Sequence, residues 1–204
     1  MYASNRPREI GGIDGIAGIA DRQIGPTCGF EAVENIIQLF LPARNDLSRT
    51  TLLPMASRAG YLVPGAYGPM LVTPAFQPLL ARFGIATTWS SLDHSNLIGA
   101  LIENRVAIAI VDGQYLDAST YRFRNSWHAV LITNFVTDPT GKFVVQYAGI
   151  DSNFPNEIRC WPVEALNRAA TTTQHPLLIT NQATHFGRHN VRYVLHLDGQ
   201  VYYG

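Results

Sequence analysis

Among the 204 residues are two cysteines and six histidines, and one of the cysteines stands where a nucleophile would. Cys28 lies in DRQIGPTCGFEAVENI, residues 21 to 36, directly after Gly25-Pro26-Thr27 and at the point where a helical apolar pattern begins. A thiol at a helix start faces unpaired backbone N–H groups and the positive end of the helix dipole, and both favour the thiolate. Gly29 follows, and a glycine there lets a substrate backbone come close. A lone cysteine is otherwise an ordinary buried side chain. To attack a substrate it needs a base, usually histidine, and a group that orients the base.

His128 fits the base. It opens the apolar run HAVLITNFV, preceded by Trp127, and a second run, KFVVQYAGI, follows after TDPTGK. Asp138-Pro139-Thr140-Gly141 has type I turn chemistry, with Asp first, Pro second and Gly fourth. A hairpin centred between Pro139 and Thr140 sets His128 opposite Asp151 at its open end, with Cβ atoms about 5 Å apart. A glycine bulge at the turn shifts that register by one, toward Ser152. Chemistry selects the carboxylate: Asp151 accepts the second imidazole N–H and holds the tautomer. Asn153 is the nearest substitute. Gln23, five residues before Cys28, is the candidate oxyanion donor beside the Cys28 backbone N–H. The candidate catalytic set is therefore Cys28, His128, Asp151 and Gln23. The candidate substrate-binding set is Gly29, Trp127 and Tyr121. Tyr121 belongs to an aromatic and arginine-bearing loop before His128 that serves either the substrate or only as a solvated loop with aromatic anchors.

The other reactive residues have simpler explanations. His185 and His189 form H-x3-H, but Gly187 lies between them and no third ligand is near, so no metal is expected. His94 follows Asp93 at a helix cap, His175 precedes a proline in a loop, and His196 sits in a strand. Cys160, beside Trp161 where a loop enters a helix, reads as buried filler. GIAGIA lacks the lysine and the strand-helix setting of a phosphate loop. No cofactor is expected.

The elements that must position these groups follow from periodicity. Residues 1–20 form an extended arm, because the Gly-Ile repeat every three residues in GIDGIAGIA fits neither helix nor strand. Phe30, Val33, Ile37 and Phe40 or Leu41 mark one apolar helix face, with Pro26 before it, Thr27 as N-cap and Pro42 ending it. Residues 42–74 read as Pro/Gly-punctuated loop. TPAFQPLLARFGI gives a helix over 74–83 stopped at Gly84. A strand in IATTWS, a helix in SSLDHSNLIGALIENR and a buried strand in VAIAIVD come next. Residues 113–126 read as loop. After the hairpin, PVEALNRAA is a short helix, PLLIT a strand, and VRYVLHLDGQVYY a hairpin around Asp198-Gly199. Helices dominate first and strands second, which is α+β with a mostly antiparallel sheet. The expected organisation is one domain over 21–204, with 174–204 as a C-terminal strand extension.

Composition narrows the partners. The chain is 47% hydrophobic and 15% charged with a formal net charge of zero, which gives no electrostatic case for nucleic acid or an acidic membrane. No apolar run reaches the ~18 residues of a membrane span. The first residues lack the apolar core of a secretion signal, so the expected location is cytoplasmic, or reached by a Sec-independent export route. Two cysteines make no disulfide framework. Lys142 is the only lysine among fifteen basic residues. Genome composition explains that bias, and so does avoidance of lysine modification in a protein that acts inside a foreign cell.

The order Gln23, Cys28-Gly29 at a helix start, HAVLI, then GID resembles the papain-like cysteine peptidases, and within them the bacterial double-glycine (bacteriocin-processing) group. TPAFQPLLARFGI, LIGALIENRVAIAIVDG and WPVEALNRA fit between and after, so the likeness covers roughly residues 20 to 170. The resemblance implies a helical half carrying Cys28 and a sheet half carrying His128 and Asp151, with a cleft between them. It also implies thiol attack on an amide carbonyl of a protein or peptide through an acyl-enzyme. Gly11-Gly12 resembles the double glycine such enzymes cut, which leaves self-processing open. The same triad serves protein glutamine deamidation or acyl transfer, in a bacterial effector or toxin for instance, and a non-catalytic peptide-binding module would keep the cleft alone.

Overall fold

Helix α1, Cys28–Phe40, begins at the cysteine, and Phe30, Val33, Ile37 and Phe40 are all buried. The apolar repeat thus closes one face against the core. The computed structural model describes residues 28–43, 49–65, 68–116, 127–138, 140–154, 158–170, 177–184, 193–195 and 201–203. The arm over 1–20, Gln23, Thr27, Tyr121, Asp198 and Gly199 lie outside these residues.

The segment expected as loop over 42–74 is instead ordered structure. Helix α2, Arg49–Arg58, is followed by a hairpin of β1, Leu62–Gly65, and β2, Gly68–Leu71. Pro54 lies inside α2, and a mid-helix proline removes a backbone bond. Leu52 and Ala56 flank it, both fully buried. Their packing holds a helix that local propensity alone would break. A 3₁₀ turn at Thr73–Ala75 leads into α3, Phe76–Ala81. Gly84 has φ +74°, the left-handed conformation that stops the chain there.

The remaining helices are α4, His94–Ile102, α5, Gly113–Leu116, and α6, Val163–Ala170. Asp93 caps α4, accepting from the Ser95 backbone N–H at 2.9 Å. Helix α5 occupies the start of the expected 113–126 loop, where Asp112 Oδ1 accepts from the Gln114 N–H at 3.1 Å.

The main sheet is built from β3, Thr87–Ser90, β4, Ala107–Asp112, β5, Trp127–Thr137, β6, Val144–Ile150, β7, Ile158–Pro162, β8, Leu177–Thr180, β9, Tyr193–Leu195, and β10, Val201–Tyr203. All pairings are antiparallel except β5 with β9. The fold is α+β with a mostly antiparallel sheet, as the element order implies. Strand β7 corrects the reading of Cys160 as a loop residue: it lies in the strand and pairs with Ala148. IRCWP is too short and mixed in character to announce a strand without its neighbour.

Two cores flank the sheet. One joins α1, α2 and α3 to Ile108, Ala129, Leu131, Val136 and Ile150. The other joins α4 and α6 to Ala109, Val130, Ile132, Tyr147 and Trp161. Among the described residues no helix is long and apolar enough to cross a membrane.

Candidate active site

Three element ends meet: the start of α1, the start of β5 and the residue after β6. They bring Cys28, His128 and Asp151 together. His128 Nε2 lies 2.9 Å from Asp151 Oδ1, and the two residues are 3% and 1% exposed. The Cys28 side chain is within hydrogen-bonding reach of the His128 ring. Nε2 is taken by Asp151, so the bond to the sulfur falls to Nδ1. Cys28 as a residue is half-buried, whereas His128 and Asp151 are enclosed.

The hairpin reaches this geometry by a register other than the symmetric one. The closing pair is Asp138 with Phe143: Asp138 N–H donates to Phe143 C=O at 2.8 Å, and Asp138 Oδ1 accepts from the Lys142 and Phe143 N–H groups, each at 3.0 Å. Gly141, at φ +70°, takes the left-handed position that lengthens the connection. The hairpin centre therefore lies one residue later than Pro139/Thr140. At the open end Leu131 pairs with Ile150 and Ile132 with Gly149. Continued, that register sets Asn153 and not Asp151 across from His128. A two-residue offset leaves side chains on the same face, whereas the one-residue offset toward Ser152 would reverse them. Asp151 then reaches His128 as a diagonal neighbour on a shared face.

Two bulges keep that parity. Val145 is the extra residue between the Thr137/Val144 and Val136/Gln146 pairs, and Thr133 is extra between Ile132/Gly149 and Asn134/Ala148. One bulge on each strand cancels the other. The switch is visible in the core, where Ala129 and Leu131 share a cluster with Val136, an even-numbered residue. Gly149 makes the close approach at the second bulge, since a Cβ there would lie 1.9 Å from the Leu131 carbonyl oxygen.

Past β6 the chain turns at once. Asp151 C=O accepts from the Phe154 N–H at 2.8 Å, and Asp151 Oδ1 accepts from the Asn153 N–H at 3.0 Å. The carboxylate oxygen that faces His128 is thus also held by a backbone donor. Asn153 acts through its backbone, and no substitution of its side chain for Asp151 is needed.

The proton affinity of His128 follows from these contacts. Burial alone pulls it down. The hydrogen bond to Asp151 opposes that, then the bond to Cys28 and the charges of Cys28 and Asp151, and together they push it up to about 10. An imidazolium between a carboxylate and a sulfur is the favoured charge state at neutral pH. Cys160 contrasts: burial drives its thiol up to about 11, against a smaller opposing pull from Arg159. It is a neutral thiol in a strand and makes an internal control for Cys28.

The remaining candidates divide. Gly29 is buried, and a Cβ there would meet the Phe76 ring at 2.8 Å and Leu71 at 3.5 Å. Close packing of α1 on Phe76 therefore requires glycine at this position. Trp127 is 56% exposed and pairs with Asp112. Strand alternation turns its ring to the opposite sheet face from the imidazole. Gln23 and Tyr121 are outside the described residues. No cluster of metal-ligating side chains occurs among the described residues. Comparison with protein-family models and with curated proteins finds no match, so the functional reading rests on the residues themselves.

Proposed function

We propose that the protein is a thiol-dependent hydrolase of papain-like fold that cleaves peptide bonds through Cys28, His128 and Asp151. The observation that carries this reading is one buried imidazole hydrogen-bonded to a carboxylate on one side and to a helix-start thiol on the other. That is the nucleophile–base–orienter arrangement of acyl-transfer enzymes.

The chemistry follows from the order in which the three groups are joined. The Cys28 thiolate adds to an amide carbonyl carbon, and the C=O electron pair moves to oxygen. In this reading the Cys28 backbone N–H at the helix start receives that oxyanion, with Gln23 as the second donor. Collapse breaks the C–N bond, and the nitrogen leaves with the proton from His128. Neutral His128 then takes a proton from water as the hydroxide adds to the thioester. Expulsion of the thiolate regenerates the pair. Asp151 keeps the ring in one tautomer throughout.

The test is labelling by iodoacetamide, read by mass spectrometry at each cysteine. Cys28 should react at least about a hundredfold faster than Cys160 at pH 7, and His128→Ala should remove most of that advantage. Equal rates at the two sulfurs, or no dependence on His128, would sink the reading. Glutamine deamidation and acyl transfer use the same triad and are told apart by product: a cut chain, or an intact partner about one dalton heavier, or one carrying a new acyl link.

A further inference from the structure

We propose that Arg159 is a positioning residue: its guanidinium, stacked on the Phe154 ring, holds closed the turn that presents Asp151 to His128. The proposal rests on the cysteine-hydrolase reading above, which gives Asp151 its task. The turn begins where β6 ends. Asp151 C=O accepts from the Phe154 N–H at 2.8 Å. Asp151 Oδ1 accepts from the Asn153 N–H at 3.0 Å while it faces His128 Nε2 at 2.9 Å. The oxygen that orients the imidazole is thus a member of the turn itself. Ordering such a turn costs conformational entropy, and a contact on its last residue, Phe154, helps to offset that cost.

Arg159 supplies that contact from β7. Its Cζ lies 3.9 Å from the centre of the Phe154 ring, well within the range of a cation–π contact. Arg159 pairs with Gly149 across β6 and β7. Asp151 follows Gly149 by two positions, so alternation puts Arg159 on the sheet face that carries Asp151. Gly149 has no side chain to compete for that place. Phe154 and Arg159 are both half-buried, and partial shelter from water strengthens a cation on a ring face. Phe154 is therefore held from two sides, by its own N–H on Asp151 and by its ring under Arg159. Release of the ring lets the turn open, and the carboxylate then leaves the imidazole for part of the time.

The experiment is an NMR titration of the His128 ring in the full chain and its variants. Arg159→Met keeps the length of the side chain and removes the charge, and Phe154→Leu keeps apolar bulk and removes the ring. Each should lower the titration midpoint from about 10 by about half a pH unit, the size of a half-buried cation–π contact. The sign is diagnostic. Taking a positive charge from the neighbourhood raises the proton affinity of an imidazole through space, so a fall reports the loss of Asp151 and not of the arginine's own field. The double variant should fall no further than either single one. Arg159→Lys, which keeps a cation for the ring, should recover at least about half of the shift. A midpoint that rises or stays in place in Arg159→Met, even with a lower urea midpoint, overturns the proposal. Shifts that add in the double variant overturn it too, because the two residues would then act separately. If Arg159→Met does not fold, Phe154→Leu and Arg159→Lys read the same contact. Iodoacetamide labelling of Cys28 that does not depend on His128 overturns the hydrolase reading instead and leaves the titration shifts as they are.

Discussion

Asp151→Asn separates the charge of the orienting residue from its geometry. In the native site Oδ1 accepts from His128 Nε2 at 2.9 Å and from the Asn153 N–H at 3.0 Å. An asparagine keeps both bonds only with its carbonyl oxygen in that place, because its NH2 group would meet the Asn153 N–H donor to donor. The tautomer of His128 is therefore preserved and only the charge assistance is lost. Bonds to charged groups contribute about 1.5–3 kcal/mol against about 1 kcal/mol for neutral ones. The difference, about 0.5–2 kcal/mol, lowers the proton affinity of His128 by about one pH unit from about 10, which leaves the ring protonated at pH 7 and slows Cys28 alkylation there by less than about threefold. Asp151→Ala leaves a buried Nε2 without this partner, and the cost rises to a hundredfold or more through lost orientation. The assay is the second-order iodoacetamide rate at Cys28, paired with NMR titration of the His128 ring. If Asp151→Asn is as slow as Asp151→Ala, the backbone donor does not set the amide orientation and the argument fails.

Gly149→Ala should destabilise the fold by about 3 kcal/mol, since the new Cβ falls 1.9 Å from backbone that cannot rotate away; a urea midpoint within about 0.5 kcal/mol of the native protein would refute the close pairing at Thr133. The proton affinity of His128 is raised on folding, to about 10 from the ordinary 6.5, so the folded state holds this proton more tightly. The resulting stability is complete below pH 6.5 and is lost as pH rises through about 10. Urea unfolding at pH 6, 8 and 10 should show that fall in the native protein and a smaller one in His128→Gln, and equal slopes would count against the buried imidazolium.

The parts of the site that the sequence revealed are those fixed by local chemistry. The helix start at Cys28 follows from the spacing of Phe30, Val33, Ile37 and Phe40, each buried as that spacing requires. His128 at a strand start and Asp151 after its partner strand follow from two apolar runs about a turn. Their registration was not legible in detail. It depends on Gly141 taking a left-handed conformation and on bulges at Val145 and Thr133, and sheet packing decides both. Helix α2 was hidden because Pro54 is a breaker in isolation and is held only by the burial of Leu52 and Ala56. Strand β7 exists because β6 offers it an edge, a long-range cause that five residues cannot announce. The packing of Phe76 against Gly29 was not legible either, because it depends on a ring some fifty residues away in sequence.

The bulges let the β5–β6 ribbon absorb changes of length one residue at a time. Deleting Val145 alone, or Thr133 alone, removes one bulge and leaves the pairs on either side of it as they are, Thr137/Val144 beside Val136/Gln146 and Ile132/Gly149 beside Asn134/Ala148. Asp151 then stays on the face of His128. What the site does not tolerate is a slip of the pairing itself: moving β6 by one residue against β5 carries the carboxylate to the face opposite the imidazole. Length can drift in this ribbon, and register cannot.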